Sequence, residues 1–499
     1  AEYMGDFYLR VTQEGDANIK TCSIPASSQI FYIIYPSLTQ AVSSLTMATT
    51  DDTKRSSCQP ASWKNKPSSL SSVCRESKVC LCGSFCAFII ALILWLSASE
   101  PSFKSSKPKI EEEEDIYPPK VNPPAWNLRY DPPEKTFYDD PQLGYSLDKL
   151  VKNWNEKRRE WLRLHPSFLP GTNERIVMVT GSQPKPCQSP TGDHFLLRLF
   201  KNKVDYCRIH GYDVFYENAL LHPKMFGYWA KYAAVKAAML AHPEAEWIWW
   251  VDSDAVITDM EFKLPLERYR GFNLVVHGWK SAVLKDRSWT GLNAGVFLMR
   301  NCQWSMNFIA NWANMGPMGK SYEKWGEAQR GVFKDKMFPE SDDQTSLTYM
   351  LYRNPTLLED KVYLEGEYYL QGYWLGMAPK LENGTARYEE IERVDPALRR
   401  RRAEKSMEIV CALREAYLIK AGVVDGNWRR PFITHFTGCQ PCSGDLNRDY
   451  NAKDCGGWMA RALNFADNQV LRVYGFVRPD LSDSETVVEI PFDYPTGSK

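Results

Sequence analysis

The stretch Trp247-Ile-Trp-Trp-Val-Asp-Ser-Asp254 decides how this chain is interpreted. The apolar run at 247–251 predicts a strand that is buried on both faces. This strand ends in two carboxylates one residue apart, where turn residues would be usual. Because side chains alternate along an extended backbone, Asp252 and Asp254 point to the same side and can hold a divalent cation against a phosphate. The alternative is a polar strand end that makes turn contacts, since Asp-x-Asp also occurs by chance.

The charge balance argues against a nucleic-acid partner. The chain has 61 Lys and Arg against 61 Asp and Glu, so its formal net charge is zero. Its 499 residues are enough for about three average domains or for one large α/β domain. The 17 Trp and 26 Tyr side chains suit sugar faces, but they suit protein cores equally well.

Residues 79–99 carry no charged side chain and predict a membrane-spanning helix. About 20 apolar residues cross a bilayer as a helix. Lys and Arg residues precede this segment, and the acidic run Glu111 to Asp115 follows it, so the rest of the chain is expected on the side away from the cytosol. We expect a retained type II signal anchor. A cleaved signal peptide is the alternative, with Ser97-Ala98-Ser99 as its cleavage region.

Composition divides the chain into segments. We expect a cytosolic tail at 1–78, the transmembrane anchor at 79–99 and a proline-rich stem at 100–145. Residues 1–46 precede Met47 and are interpreted as lying outside the native coding sequence, with a disordered cytosolic tail as the alternative. Helical spacing after Ser146 predicts a packing helix at 146–172. A compact domain at 173–478 and an irregular tail at 479–499 follow.

Apolar runs alternate with helical patterns in the compact domain. Helical spacing is present at 229–240 and 458–473, and strands are predicted at 176–179, 212–216, 247–251, 273–276 and 295–299. This alternation predicts an open, largely parallel α/β sheet. Ligands of such sheets bind beyond the carboxyl ends of the strands, where Thr180-Gly-Ser182 and Asp252-Ser-Asp254 stand.

The cysteines after the predicted anchor point to an oxidising compartment, where some of them are expected to pair. The candidates for disulfides are Cys187, Cys207, Cys439, Cys442 and Cys455. The alternative is a zinc site made of Cys439, Cys442 and Cys455 with His435. Asn383 begins a glycosylation sequon in a polar stretch that is compatible with a loop.

Several further motifs occur in one order along the chain. They are Met178-Val-Thr-Gly-Ser182, Trp249-Trp-Val-Asp-Ser-Asp254, His277-Gly-Trp279, Trp289-Thr-Gly-Leu-Asn-Ala-Gly295, Asp342-Asp-Gln344, Gly372-Tyr-Trp374 and Thr434-His-Phe-Thr-Gly-Cys-Gln-Pro-Cys442. Together they resemble plant glycosyltransferase family 34, which holds xyloglucan 6-xylosyltransferases and galactomannan 6-galactosyltransferases. The resemblance covers residues 175–476, and it extends to the anchor and stem by layout.

The resemblance implies a GT-A fold, a UDP-sugar donor, Mn²⁺ and retention of the anomeric configuration. By position, Asp252 and Asp254 would face the metal and the donor, and His435 would be the third protein ligand. The other donor-binding residues that it implies are Thr180, Gly181, Ser182, Ser253, Gly438 and Gln440. A mixed carboxylate and imidazole set suits Mn²⁺, and a divalent ion neutralises the charge that develops on a diphosphate leaving group.

The resemblance also places Asp342, Asp343 and Gln344 at the reacting centre. Retention needs either a carboxylate nucleophile or a front-face displacement guided by the departing phosphate. We favour the front-face route, with Gln344 orienting the sugar and one Asp holding its hydroxyls, because an amide cannot form a stable glycosyl ester. The candidate acceptor-binding residues are Trp279, Trp289, Asn293, Tyr373 and Trp374, although each aromatic ring taken alone is more often a core residue.

Three features favour a galactosyltransferase within the family. Asn293-Ala-Gly-Val296 resembles the galactosyl version, whereas xylosyltransferases usually read Asn-Thr-Gly-Ser there. A charged helical insertion separates Trp374 from Thr434, and galactosyl members look similar in that region. Gln440 stands where xylosyltransferases carry Lys. We therefore expect transfer of α-galactose from UDP-galactose to the 6-hydroxyl of mannose in a mannan or glucomannan backbone.

Two alternatives stay open at this stage. One is a xyloglucan 6-xylosyltransferase that uses UDP-xylose, and the other is a non-catalytic Golgi partner of other wall-polymer enzymes. For each of them the layout implies a single-pass Golgi membrane protein with its main domain in the lumen and a role in plant cell wall biosynthesis. A homodimer or a complex with a backbone synthase is the expected assembly.

Overall fold

The structure is a computed structural model of the chain. It describes residues 135–143, 146–168, 175–399, 407–420, 430–444 and 450–495. The predicted cytosolic tail, the anchor and most of the stem lie outside these residues. Within them, no helix has the length and apolar character that crossing a bilayer requires.

The core of the described chain is one six-stranded sheet. The strands are β1 Ile176–Gly181, β2 Asp213–Glu217, β3 Trp247–Val251, β4 Ala255–Ile257, β5 Leu274–Gly278, β6 Leu292–Arg300, β7 Val362–Glu365, β8 Gly372–Tyr373, β9 Ile433–His435, β10 Phe476–Val477 and β11 Val488–Glu489. The large sheet has the order β2-β1-β3-β6-β5-β7, and β6 runs antiparallel to both of its neighbours. The expected open α/β sheet is therefore present, but it is mixed, with one reversed strand near its centre.

Strand β3 explains why the sheet is buried on both faces. Trp247, Trp249 and Val251 belong to one hydrophobic core. Ile248 and Trp250 alternate with them and belong to a second core on the other face. A strand between two cores needs apolar residues at every position, which is why this run shows no polar alternation.

Helices cover both faces of the sheet. They are α1 Trp154–Leu164, α2 Gly192–His210, α3 Lys231–Ala241, α4 Gln303–Ala313, α5 Tyr322–Val332, α6 Asp343–Arg353, α7 Leu357–Asp360, α8 Trp374–Met377, α9 Leu381–Val394, α10 Pro396–Arg399, α11 Met407–Lys420 and α12 Ala452–Tyr474. The charged insertion inferred from the sequence corresponds to α9, α10 and α11. Asn383 lies exposed in the first turn of α9, so its predicted sequon is helical and not in a loop.

Two predicted boundaries need correction. The packing helix predicted at 146–172 begins only at Trp154 and ends at Leu164, because the residues after Ser146 form turns in which its hydroxyl accepts the backbone N–H of Asp148. The tail predicted as irregular at 479–499 contains β11, which pairs antiparallel with β10.

A small second sheet brings together three strands that are far apart in the sequence. It has the order β4-β9-β8, and β4 pairs antiparallel with β9 so that Ala255 lies opposite His435. Strand β8 pairs parallel with β9, and Tyr373 lies opposite the same histidine. Since β4 follows β3 directly, this pairing carries His435 to the carboxyl end of β3.

Two disulfides anchor the loop that follows β9, one to the segment after β1 and one to helix α12. Cys187 pairs with Cys442, and Cys439 pairs with Cys455. The four sulfurs are thereby used, so the structure has disulfides where zinc was the alternative. Cys207 was a disulfide candidate, but it is buried outside any disulfide with its thiol against the sulfur of Met178.

One buried arginine connects helix α1 to the segments that lead into β3 and out of β6. Arg158 donates to the carbonyls of Pro243, Ala245 and Asn301 and is fully buried. We expect Arg158→Met to lower the free energy of unfolding by about 3 kcal/mol, because three buried carbonyls lose their donor. Chemical denaturation of the chain measures the change. Arg163→Met on the exposed side of the same helix is the control, and an equal loss in that variant would contradict this role.

Candidate active site

The donor-binding segments meet at one edge of the large sheet. Strands β1 and β3 pair in parallel with Val179 opposite Trp250, so the residues after each strand emerge side by side. The hydroxyl oxygens of Ser182 and Tyr216 lie 2.8 Å apart. A Cβ at Gly181 would come within 2.1 Å of the Glu217 carbonyl oxygen, so this close approach of backbones requires glycine.

Three side chains form a cation-binding arrangement at the same edge. Ligand atoms of Asp252, Asp254 and His435 lie within 4.8 Å of one another. His435 Nε2 is 3.0 Å from Asp254 Oδ1 and 3.7 Å from Asp252 Oδ2. The structure therefore brings together the three residues that the resemblance implied, from positions separated by 181 residues.

Gly295 creates the space between these ligands. A Cβ at this position would lie 2.2 Å from His435 Cε1 and 2.7 Å from Asp252 Oδ2. Its amide donates to the Asn293 side chain, and its carbonyl accepts the backbone N–H of Asp252. Gly295 thus leaves room for the side chains of His435 and Asp252, a role that the sequence did not indicate.

The protonation of the site is set by its own ion pair. Burial lowers the pKa of His435, but the charge of Asp254 outweighs burial and raises this pKa above its ordinary value. Burial raises the pKa of Asp254, and the nearby imidazolium outweighs it, so the net direction is downward. His435 Nε2 thus faces Asp254 Oδ1 at the position where these two atoms would share a cation. Two carboxylates and one imidazole nitrogen fit Mn²⁺ as a donor set.

A buried lysine connects the metal ligands to the predicted catalytic residues. Lys231 begins α3, and its Nζ lies 2.7 Å from Asp343 Oδ2 and 3.2 Å from Asp252 Oδ1. The same nitrogen donates to the carbonyl of Ala294. Burial would lower the pKa of Lys231, but the two carboxylates outweigh burial and raise it, so this lysine stays charged. Sequence reasoning missed it, because a lone Lys at a helix start carries no signal.

A second buried lysine holds the loop between the carboxylates. Lys203 on α2 donates to the carbonyls of Ser253 and Ala255 at 3.1 Å and 2.8 Å. Burial lowers its pKa to about 8, although Asp254 and Asp252 act in the other direction. The backbone of the Asp-Ser-Asp segment is therefore held in place by hydrogen bonds from a side chain of α2.

The predicted catalytic triplet divides into three environments. Asp342 is buried, caps α6 by accepting the Thr345 backbone N–H at 2.8 Å and pairs with Lys336. It is an internal capping residue, which corrects its predicted place at the reacting centre. Asp343 faces Lys231 as described. Gln344 is half-buried, and its amide accepts from Asn293 and donates to the Trp289 carbonyl.

The candidate acceptor residues also separate by exposure. Trp279 is 49% exposed and Tyr373 is 43% exposed, while Trp289 is half-buried. Trp374 is only 1% exposed and stacks on Phe436, so it is a core residue and cannot offer a face to a sugar. This corrects its prediction as an acceptor-binding residue. The other rings are accessible near the ends of β5, β6 and β8.

The loop after β9 carries the remaining predicted donor contacts. Gly438 has a φ of 83°, a left-handed conformation that favours glycine. Gln440 accepts from the Ser443 hydroxyl through its side chain. The backbone N–H of Ser189 donates to the carbonyl of Cys442, and the adjoining disulfide to Cys187 ties this loop to the one after β1. The loops after β1 and β9, which carry the predicted donor-binding residues, are thus covalently linked.

A family model, the galactosyl transferase GMA12/MNN10 family, matches residues 172–446. The chain belongs to glycosyltransferase family 34. The match runs from just before β1 to just beyond β9, so it contains every residue of the cation-binding arrangement. The described residues accordingly form a GT-A-like α/β fold of a glycosyltransferase.

Curated members of family 34 resemble the chain over most of its length. It is 60% identical to galactomannan galactosyltransferase 1 of Cyamopsis tetragonoloba, over 74% of this chain and 83% of that protein. It is 56% identical to putative glycosyltransferase 7 of Arabidopsis thaliana, over 85% of this chain and 93% of that protein. Identity falls to 43% with probable xyloglucan 6-xylosyltransferase 1 of Oryza sativa subsp. indica, over 70% of each chain.

Solved structures are similar only at a distance. A crystal structure of the galactosyltransferase LgtC with donor and acceptor sugar analogues is 12% identical, and the match covers 57% of this chain and 95% of that one. Its TM-score is 0.26, which carries no information on the site.

Gly295 provides a direct test of the cation site. We expect Gly295→Ala to weaken Mn²⁺ binding at least about tenfold, because the added methyl displaces His435 or Asp252. Isothermal titration with Mn²⁺ measures the affinity without any need for turnover. Gly331→Ala on α5, where an added Cβ meets nothing within 4 Å, is the matched control. Equal Mn²⁺ affinity in the two variants would show that Gly295 does not shape the site.

Lys231 provides a test of the electrostatic link. We expect Lys231→Met to lower kcat for sugar transfer by about 100-fold or more, because two facing carboxylates lose a buried counter-charge. Steady-state kinetics with saturating donor measures the loss. Lys236→Met on the same helix is the control, since the Lys236 ammonium donates to the carbonyls of Ser146 and Lys149 and to no carboxylate of the described residues. Turnover above half of the unmodified rate in Lys231→Met would exclude this role.

Proposed function

We propose that the chain transfers α-galactose from UDP-galactose to the 6-hydroxyl of mannose in a mannan or glucomannan backbone. The observation that carries this proposal is the 60% identity to a galactomannan galactosyltransferase, against 43% to a probable xyloglucan 6-xylosyltransferase. Ala294 and Gln440 support the same choice, because Ala294 belongs to a motif that resembles the galactosyl version and Gln440 stands where xylosyltransferases carry Lys. The acceptor class follows from that relative and from the family.

We infer that Mn²⁺ is the bound cation and that Asp252, Asp254 and His435 hold it. When bound, the cation neutralises the negative charge that develops on the diphosphate as the glycosidic bond breaks. The two carboxylate oxygens of Asp252 have different neighbours, and one of them faces the cation site. Oδ1 accepts from the Trp250 indole and faces Lys231, which leaves Oδ2 toward His435.

The remaining residues orient the two sugars. Gln344 is fixed by its contacts with Asn293 and Trp289, so its amide is held at one position beside the cation site. Asp343 is paired with Lys231, and a paired carboxylate is a weak nucleophile. This pairing favours front-face displacement with retention, in which Asp343 accepts hydrogen bonds from the donor hydroxyls. Trp279 and Tyr373 offer exposed rings to the acceptor chain.

The cellular setting belongs to the same proposal. The uncharged segment at 79–99 with basic residues before it supports a single-pass type II protein of the Golgi membrane. The two disulfides support an oxidising lumen for the folded domain. Asn383 is exposed and supports glycosylation there. The product would enter cell wall biosynthesis as branched hemicellulose.

Donor and acceptor assays test the proposed reaction. We expect Mn²⁺-dependent transfer of galactose from UDP-galactose to manno-oligosaccharides, with an α-1,6 linkage seen by NMR of the product. UDP-xylose with cello-oligosaccharides is the competing pair. Chelation of the metal should abolish transfer, and Asp254→Asn is the inactive control. Preferred transfer of xylose to cello-oligosaccharides would reject the galactosyl assignment in favour of the xylosyl one.

A further inference from the structure

A groove of about 530 Å³ lies away from the cation site, between α4, α5 and α6. It has the size of a ligand pocket. Its lining is rich in aromatic rings and side-chain amides, including Trp304, Trp325, Tyr349, Asn307 and Asn311, and it also contains Arg353. The proposed reaction uses none of these residues.

The rings of the groove are held in place by the core beneath them. Trp304 stacks on Phe308 with ring centroids 4.6 Å apart, and Trp325 meets Tyr349 edge to face at 6.0 Å. Trp304, Trp325 and Tyr349 are each half-buried and pack on the same hydrophobic core. Rings fixed in this way lose little conformational entropy when a ligand covers their free faces.

The polar lining fits an uncharged ligand. Asn307 and Asn311 lie one helical turn apart on α4 and are exposed, so their amides reach the solvent side of the groove. Among the described residues that line the groove, Arg353 carries the only charge and no carboxylate is present. Aromatic faces beside amide donors and acceptors match the C–H faces and hydroxyl edges of neutral sugars.

Helix α6 links the groove to the proposed reacting centre. Its first residues, Asp343 and Gln344, lie at the centre, and its last turn, with Tyr349 and Arg353, lines the groove. An α-helix of 11 residues is about 16 Å long. A polysaccharide backbone of a few sugar units covers such a distance, whereas a single sugar does not.

We propose that this groove binds an uncharged stretch of the acceptor polysaccharide, several sugar units from the residue that receives the branch. The proposal rests on the proposed function in one respect, namely that the acceptor is a polysaccharide. Binding in the groove keeps the backbone near the reacting centre and raises its effective concentration there. It lowers the KM for long acceptors and leaves the kcat on short ones unchanged.

The test uses the full chain and two groove variants. We expect Trp304→Ala and Asn311→Glu each to weaken binding of soluble glucomannan about fivefold in affinity electrophoresis. The KM for glucomannan should rise by a similar factor, while kcat and KM for mannotetraose stay unchanged. Asn311→Glu changes only an exposed helical position, so it separates loss of binding from loss of folding. Phe492→Ala is the control, because that ring is 59% exposed in the C-terminal segment.

Three results distinguish this proposal from the proposed reaction. Groove variants that lose glucomannan binding in a protein that transfers no galactose would uphold the groove and reject the galactosyl reaction. Normal glucomannan binding in both variants, together with galactosyl transfer by the unmodified chain, would overturn the groove alone. Unchanged glucomannan binding with loss of self-association in analytical ultracentrifugation would make this surface a protein interface, which also overturns it.

Discussion

Crowding of negative charge at the end of β3 is the constraint on which the rest of the site depends. Ligand oxygens of Asp252 and Asp254 lie no more than 4.8 Å apart, where two unpaired carboxylates would repel each other by roughly 3 kcal/mol. Lys231, Lys203 and His435 offset this repulsion from three different elements. Helices α2 and α3 and strand β9 thus each bring one group that counters this charge to the same sheet edge, and a divalent cation would counter it in the same way when it binds.

Much of the fold could be predicted from the sequence, because its core strands have strong local signals. The predicted bounds of β3 agree with the structure, and those of β1, β2, β5 and β6 lie within a few residues, whereas the edge strand β7 was not predicted. The direction of β6 could not be predicted, since apolar periodicity is the same for either direction of a buried strand. The predicted start of α1 was wrong. Leu147 and Val151 are buried, but they lie in turns and irregular backbone whose apolar spacing is the same as that of a helix.

The candidate site was predictable where side-chain type carries the chemistry. Asp252, Asp254 and His435 stood out because motif order placed them together. Lys231 and Gly295 did not, because a buried counter-charge and a missing Cβ act only through neighbours that are distant along the chain. Most errors in the predicted site concerned residue types that serve both in active sites and in structural roles. Asp342 caps a helix, and Trp374 fills the core, although both residue types also serve in active sites.

The pairing of β4 with β9 has a consequence for how the protein is made. His435 follows Asp254 by 181 residues, which a ribosome adds in roughly 10 to 40 seconds. Once residue 365 has been added, the nascent chain contains both carboxylates and all strands of the large sheet, but it still lacks the imidazole and β9. The cation-binding arrangement is therefore completed late in translation, and a chain interrupted between residues 366 and 430 would contain every strand of the large sheet but lack His435.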